Sequence, residues 1–309
     1  MTRLPRRRAA LLVSLAVAAV TASVVVAAGS TARTAAPTLV IDNSFTIKTT
    51  DPARAYDPTG SIIDHAIYDS LFTYKRDDLA HPIPLLVSSY KVTSGAKVFT
   101  FQLKRNVHFA DGTPLTSADV VWSLKRLANV KGNPSFLMAG ITLSAPSKYT
   151  VVMRSTTPAT QLPVILANPS TGILNSALVM KNGGSDAANA AKTDKAENWL
   201  NSSASAGAGS GPYTLSAYSP TSQITLVPST AYWGVKKSPW SNVVVRNMVA
   251  ATQQLNVARG SHEIAIDLSA DQAQSLTSNS KLNVALQPST WIFCAIDVKG
   301  TPLIVRSLG

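Results

Sequence analysis

The sequence has one cysteine, Cys294, among its 309 residues. A single cysteine cannot form an internal disulfide, and it cannot supply a zinc site built on cysteines. Acidic residues are also scarce, with 16 Asp and Glu against 28 Lys and Arg, which gives a formal net charge of +12. The basic residues beyond the N-terminus are scattered and are not interleaved with aromatics, so we expect no nucleic-acid partner.

The sequence also lacks the groupings that catalysis or metal binding requires. No His-Glu-x-x-His pair and no Gly-x-Ser-x-Gly motif is present, since Ala208 and Pro212 occupy the flanking positions of Ser210. We therefore predict no catalytic residue, no metal ligand, no cofactor and no enzyme activity, although an unrecognised secreted hydrolase stays open as an alternative. The four histidines are isolated in the sequence: His65, His81, His108 and His262.

The N-terminus has the features of a secretory signal peptide. Four arginines at positions 3, 6, 7 and 8 precede an uncharged run from residue 9 to residue 28. Residues 1–28 are therefore predicted to be a signal peptide, and the mature protein is expected outside the cytoplasm. No cysteine lies near this run, so no lipoprotein attachment site is expected. The pattern leaves open whether export uses the general or the twin-arginine route, and whether the segment is cleaved.

Residues 98–126 form the most informative stretch of the chain. Apolar and polar residues alternate over 99–103, the two-residue period of a strand with one buried face. Val107 and Phe109 resume this alternation after a basic interruption. The Asp-Gly pair at 111–112 then favours a turn with a positive backbone φ angle.

A helix is predicted directly after this turn. Thr116 and Asp119 have the spacing of a capping box, with the carboxylate in the first turn of the helix. Apolar residues follow at the spacing of one helix face, at Val120, Val121, Leu124 and Leu127.

Other segments alternate in the same manner. Strands are predicted at 38–42, 149–154, 243–249 and 263–267, a hairpin at 213–227, and helices at 62–74, 252–259 and from Ser269, where Gln272 completes a capping box. Residues 182–211 contain few large apolar side chains. We expect one marginal helix at 186–200, followed by a flexible loop that buries little surface.

The order of these motifs closely resembles the family 5 extracytoplasmic solute-binding proteins, the peptide, dipeptide and nickel receptors of ABC importers. The matching residues are Phe-Thr-Phe-x-Leu-Lys at 99–104, Val-x-Phe-x-Asp-Gly-x-Pro-Leu-Thr at 107–116 and Asp-Val-Val-x-Ser-Leu at 119–124. Gly-Ser-Gly-Pro-Tyr at 209–213 and Tyr-Trp-Gly at 232–234 agree with the same family.

The resemblance implies an α/β fold of the type II periplasmic binding protein class, with mixed-sheet lobes and most of the C-terminal lobe missing. It places lobe I at residues 29–62 and 166–290, lobe II at 63–165, and a hinge with the start of a third lobe at 291–309. The match covers 37–309 but only about the first half of a family member. The alternatives are a fragment, a truncated gene, or a partial protein with another use.

The resemblance also implies which residues border the ligand. By position in the family these are Phe45 and Thr46, after the first core strand, and Trp291 and Phe293 on the hinge strand. Packing under the lobe remains the alternative role for the first pair, and packing of the hinge strand for the second.

The implied function is that of the substrate-binding component of an ABC importer, which captures a solute and delivers it to a membrane permease. An oligopeptide or dipeptide is the default ligand, while nickel chelates, haem and sugars remain open. The partners are the ABC permease subunits, and the protein is expected to be a monomer in the periplasm or cell envelope. A truncated, non-transport envelope or chaperone-like protein on the same scaffold is the alternative.

Overall fold

Strands and helices alternate along the chain in the computed structural model, which describes residues 37–45, 47–76, 78–235, 238–259 and 263–285. The strands are β1 (Thr38–Asn43), β2 (Phe72–Lys75), β3 (Asp78–Pro84), β4 (Val87–Thr93), β5 (Val98–Leu103), β6 (Ile141–Ser147), β7 (Thr150–Ser155), β8 (Tyr213–Ser219), β9 (Gln223–Pro228), β10 (Asn242–Asn247) and β11 (Glu263–Ala265). The helices are α1 (Pro58–Ile67), α2 (Ser117–Val130), α3 (Leu162–Ile165), α4 (Ser176–Lys181), α5 (Ala190–Thr193), α6 (Glu197–Leu200), α7 (Ala250–Arg259) and α8 (Ala270–Leu276). Short 3-10 helices lie at Asn133–Met138, Pro169–Thr171 and Ser203–Ser205.

The larger sheet has five strands in the order β11-β1-β10-β9-β8. β1 runs parallel to both β10 and β11, whereas β9 is antiparallel to β8 and to β10. The parallel strands β10 and β11 are joined through α7, as a crossover connection requires. Strands drawn from both ends of the described chain therefore form one sheet.

The second large sheet has four antiparallel strands in the order β4-β5-β7-β6. β5 presents its alternate residues Phe99, Phe101 and Leu103 to the interior, where each is at most 3% exposed. Helix α2 covers this face with Val120, Leu124 and other apolar residues of one helix face. A separate two-stranded hairpin pairs β2 with β3.

Each large sheet packs against its own apolar cluster. The cluster of the four-stranded sheet includes the inward residues of β5 and β7 and those of α2. The cluster of the five-stranded sheet includes Ile41, Val243 and Val245 from the strands, together with Ile63 and Ile67 from α1. Trp122 of α2 also belongs to this second cluster.

Several predicted elements are confirmed. The strand at 99–103 is β5, the hairpin at 213–227 is β8 and β9, and the strand at 149–154 is β7 within one residue. Both predicted capping boxes form: the Thr116 amide donates to Asp119 Oδ2 at 2.9 Å, and the Ser269 amide donates to Gln272 Oε1 at 3.0 Å. Gly112 has φ +84°, as the Asp-Gly turn requires.

The prediction of a helix at 62–74 is wrong at both ends. Helix α1 begins at Pro58, where the Asp57 carboxylate accepts from the Gly60 amide at 2.8 Å, and it ends at Ile67. Pro58 suits the first helical position because its missing N–H has no helical partner there. Residues 107–109 do not continue a strand either. Val107 and Phe109 have buried side chains, but they lie in a loop in which one isolated β-bridge pairs His108 with Pro114.

The expectation for residues 182–211 is also wrong. Instead of one marginal helix at 186–200 and a flexible loop, the segment forms α5, α6 and a 3-10 turn. Ala190, Ala196, Leu200 and Ala208 are fully buried. Alanine loses no side-chain entropy on burial, and its small volume lets the backbone lie close to its neighbours. The segment therefore packs into the interior although it contains few large apolar residues.

Candidate functional site

The carboxyl ends of β1, β10 and β11 meet at one edge of the five-stranded sheet. The Met248 amide donates to the Asn43 carbonyl at 2.9 Å, and the Ile266 amide donates to the Asp42 carbonyl at 3.2 Å. Crevices outside the carboxyl ends of parallel strands are the usual ligand sites of α/β sheets. We call residues 43–45, 247–248 and 266–267 the carboxyl edge.

Side chains of the carboxyl edge join its three segments. Ser44 Oγ donates to the Met248 carbonyl at 3.0 Å, and the Ser44 amide donates to Asp267 Oδ2 at 3.3 Å. The Phe45 amide donates to Asn247 Oδ1 at 3.1 Å. The backbone that leaves β1 is therefore held by side chains that follow β10 and β11.

The fully buried side chain of Gln253, on α7, forms hydrogen bonds with all three segments of the carboxyl edge. Its Nε2 donates to the Met248 carbonyl at 2.7 Å and to Ser44 Oγ at 3.3 Å. Its Oε1 accepts from the Asp267 amide at 3.3 Å. The sequence offered no signal for this role, because a glutamine within a polar helix is usually solvated.

Phe45 is half-buried and packs against the apolar cluster of the five-stranded sheet. It is the one predicted ligand residue whose position is described, and it lies at the carboxyl edge beside Ser44 and Asn247. Thr46, Trp291 and Phe293 lie outside the described residues.

An ion-pair cluster holds the loop that runs from the carboxyl edge to α1. The fully buried guanidinium of Arg126 forms two 2.7 Å hydrogen bonds with Asp51. It forms two more with Asp194, at 2.7 and 2.9 Å. Arg54 adds contacts of 3.2 Å to each of these carboxylates. We call Asp51, Arg54, Arg126 and Asp194 the buried ion cluster.

The pKa shifts of Arg126 and Asp194 keep these two groups charged. Burial alone would lower the pKa of Arg126, but the charges and hydrogen bonds of Asp51 and Asp194 raise it above its ordinary value. Burial alone would raise the pKa of Asp194, but the hydrogen bond and charge of Arg126 hold it below its ordinary value. The ion pairs therefore persist through the neutral pH range.

Residues of the segment 190–208 support the same loop. Asn201 Oδ1 accepts from the Thr50 amide at 2.7 Å and from Thr49 Oγ1 at 3.2 Å, and Thr50 Oγ1 donates to the Leu200 carbonyl at 2.9 Å. The sequence gives no sign of this support or of the role of Asp194, because a segment rich in Ala, Ser and Asn resembles a solvated loop.

Asp69, just after α1, anchors the Gly-Ser-Gly-Pro-Tyr segment. Its Oδ2 accepts from Ser210 Oγ at 2.9 Å and from Trp233 Nε1 at 2.8 Å. Burial raises the pKa of Asp69 to about 6, although these hydrogen bonds and the charge of Lys104 act in the opposite direction. A side chain at Gly209 would overlap the Ile67 carbonyl, so the close approach of this segment to α1 requires glycine there.

The carboxyl edge presents hydrogen-bonding groups. Among the described residues, no three His, Cys, Asp or Glu side chains gather into a possible metal site. In the same part of the chain, no helix has both the length and the apolar character needed to cross a bilayer. Exposed groups such as the Asp267 carboxylate can accept hydrogen bonds from a bound solute.

Comparison with known proteins identifies the family. The model of the bacterial extracellular solute-binding proteins, family 5 middle region, matches residues 81–303, more than two thirds of the chain. The probable D,D-dipeptide-binding periplasmic protein DdpA of Escherichia coli K12 is 32% identical over 256 residues, which make up 81% of this chain and 47% of that protein. The periplasmic oligopeptide-binding protein OppA of the same strain is 33% identical over 89 residues, or 29% of this chain and 16% of that protein.

Solved structures agree on the fold. Listeria monocytogenes OppA bound to peptide matches with a TM-score of 0.65 and 20% identity, over 79% of this chain and 48% of that one. Helicobacter pylori DppA in complex with the peptide STSA matches with a TM-score of 0.64 and 20% identity, over 79% and 49%. The chain thus has the mixed α/β fold of periplasmic binding proteins. It spans about half the length of DdpA and of a second relative, the glutathione-binding protein GsiB of Escherichia coli O6:K15:H31, although both match most of this chain. These matches and the ordered motifs show that the chain belongs to family 5 of the bacterial extracellular solute-binding proteins.

Proposed function

We propose that this chain is the substrate-binding component of an ABC importer, which captures peptides or a related small solute and delivers them to a membrane permease. The main support for this proposal is the match to the family model over residues 81–303. The relatives named above are a probable D,D-dipeptide-binding periplasmic protein and a periplasmic oligopeptide-binding protein. The protein would accordingly break no bond in its ligand.

A peptide is the proposed ligand class because the named relatives bind dipeptides or oligopeptides. The chemistry of the carboxyl edge suits a peptide, since a peptide carries backbone N–H and C=O groups along its length. Asp267 would accept from ligand N–H groups, and Phe45 would contact apolar side chains. Thr46, Trp291 and Phe293 are proposed as further ligand contacts.

The proposed mechanism is closure of lobes about a bound solute. Lobe I would comprise residues 29–62 and 166–290, lobe II residues 63–165, and residues 291–309 the hinge and the start of a third lobe. Because Ile63 and Ile67 pack in the apolar cluster of the five-stranded sheet, we move the proposed end of the first lobe I segment from residue 62 to Ile67, the end of α1. Closure would bury the ligand, and the closed form would dock on the permease.

We propose that the protein acts outside the cytoplasm as a monomer, exported by a signal peptide at residues 1–28 and without a nucleic-acid partner. Support comes from the arginine-led apolar N-terminus and from the periplasmic location of the named relatives. A membrane permease is then the partner that an importer requires.

Uptake of labelled peptides in the native bacterium tests the import function. Deletion of the gene should reduce uptake of at least one of a set of labelled di-, tri- and tetrapeptides, and the wild-type gene should restore it. Affinity purification of the tagged protein from crosslinked cells should recover an ABC permease subunit. Unchanged uptake of every peptide, with no permease recovered, would favour a non-transport envelope or chaperone-like protein.

A further inference from the structure

A cavity of about 400 Å³ lies where the last turn of α1, the β2–β3 hairpin and the segment after α3 meet. Its volume falls in the range of about 300–1,000 Å³ that is usual for small-molecule sites. None of its lining residues belongs to the carboxyl edge, so the proposed import function does not account for it.

Polar side chains with unused hydrogen-bonding capacity line this cavity. The side chains of Arg76, Thr73 and Tyr74 have no hydrogen bond or ion pair with any other described residue. Asn168 uses its Oδ1 to accept from the Ser170 amide at 2.9 Å, while its NH₂ group donates to no described residue. Among the described residues, a guanidinium, an amide NH₂ and two hydroxyls at this place therefore have no acceptor.

The lining residues that the structure describes include no carboxylate. Two acids follow Arg76 in the sequence: Asp77 lies outside the described residues, and Asp78 of β3 already accepts from the Ala80 amide at 3.2 Å, with one of its oxygens 3.0 Å from the His81 ring. Arg76 thus gives the cavity a positive charge that no described residue neutralises. An acidic ligand group is the natural counterpart of an uncommitted guanidinium, which binds carboxylates and phosphates in a planar fork.

The cavity also has an apolar wall. Leu79 is 63% exposed and Val164 is 46% exposed, and both line the cavity together with Ala167 and Pro169. Large apolar side chains left this exposed beside a cation would bury their surface against an apolar ligand body.

We propose that this cavity binds a small amphipathic organic anion, with its acidic group on Arg76 and its apolar body against Leu79 and Val164. The acidic group is a carboxylate or a phosphate, which share the same recognition chemistry. This site is separate from the carboxyl edge and does not depend on peptide import.

Calorimetric titration of the full 309-residue chain with four probes tests the site. Hexanoate and hexyl phosphate each combine an acidic group with an apolar body, whereas hexanol lacks the acid and inorganic phosphate lacks the apolar body. At least one of the two hexyl anions should bind at least tenfold more tightly than both hexanol and inorganic phosphate. The tighter of the two identifies the acidic group.

Two variants place the binding at this cavity. Arg76→Gln should weaken binding of the preferred anion at least tenfold, and Leu79→Ser should weaken it several-fold. Arg154→Gln is the matched control, because Arg154 is an exposed cation of β7 that does not line the cavity. Thermal unfolding of each variant verifies that it folds. The proposal would be overturned if the Arg76→Gln and Arg154→Gln variants bound the preferred anion equally well. It would also be overturned if neither hexyl anion bound more tightly than hexanol, or if neither bound at millimolar concentration.

Discussion

At the scale of single residues, Arg126 is the centre of the buried ion cluster. Its guanidinium is fully buried, and four hydrogen bonds join it to two carboxylates that are themselves buried. Removal of one partner leaves the charges of the others without compensation in a medium of low polarity.

We therefore expect Arg126→Met to lower the free energy of unfolding by about 3–5 kcal/mol. Urea unfolding followed by circular dichroism measures this change. The neighbouring Lys125 is exposed, so Lys125→Met should change stability by less than about 0.5 kcal/mol. Similar losses in the two variants would show that the buried ion cluster does not hold the fold together.

Asp69 gives the protein a pH-dependent stability. Its folded-state pKa of about 6 lies above the ordinary value of 3.8, because burial disfavours the charged form. The stabilising effect is complete below pH 3.8 and is lost as the pH rises through about 6. The loss amounts to roughly 3 kcal/mol by linkage between protonation and folding.

Asp69→Asn should abolish this dependence. Ser210 and Trp233 both donate to the same oxygen, Oδ2, and an asparagine oxygen can accept both hydrogen bonds. Relative to wild type, the variant should gain stability between pH 4 and pH 8 by up to about 3 kcal/mol. Urea unfolding at intervals across this range measures the difference, and a difference that does not vary with pH would contradict the assignment.

At the scale of secondary-structure elements, the two capping boxes should differ in strength. Asp119 caps α2 through the Thr116 amide, and its other oxygen accepts from Ser176 Oγ at 2.6 Å and from the Ser176 amide at 3.2 Å. It therefore joins the first turns of α2 and α4. Gln272 of α8 caps one exposed helix only.

We expect Asp119→Ala to cost more than about 2 kcal/mol, because it leaves buried donors without acceptors. Gln272→Ala occupies the equivalent position in α8 and should cost less than about 1 kcal/mol. Chemical denaturation of both variants measures the two values. An equal cost would show that the contact with Ser176 contributes nothing.

The segment 190–208 should behave as a folded element. Leu200 is fully buried, and its amide donates to the Ala196 carbonyl at 2.8 Å. Leu200→Ala should destabilise the protein by about 2–5 kcal/mol, as core leucine truncations do. Hydrogen exchange should show slow exchange of the Leu200 amide in the wild type. Exchange at the rate of an unstructured peptide would show that this part of the segment is no more than the marginal helix expected from the sequence.

At the scale of the whole molecule, the sequence predicts best what local physics determines. The strand period of β5, the two capping boxes and the β8–β9 hairpin each depend on residues a few positions apart, so they can be read directly from the chain. The start of α1 was missed even though Asp57-Pro58 carries a local signal for it.

The support of the candidate site could not be predicted in this manner. Arg126 meets Asp51 and Asp194 across 75 and 68 residues of sequence. Gln253 lies 209 residues from Ser44. Such pairs depend on how the sheets bring distant segments together, and one sequence gives no sign of which charged or polar residues will meet. Phe45 was placed at the site through the family resemblance.

We propose above all that the carboxyl edge of the five-stranded sheet is a solute-binding surface. Nuclear magnetic resonance titration of the isotope-labelled chain with di- and tetrapeptides tests it most directly. The amides of Ser44, Phe45, Met248 and Asp267 should shift together on peptide addition, because all four lie at the carboxyl edge. No shift at these amides at millimolar peptide, or shifts confined to other surfaces, would contradict the account.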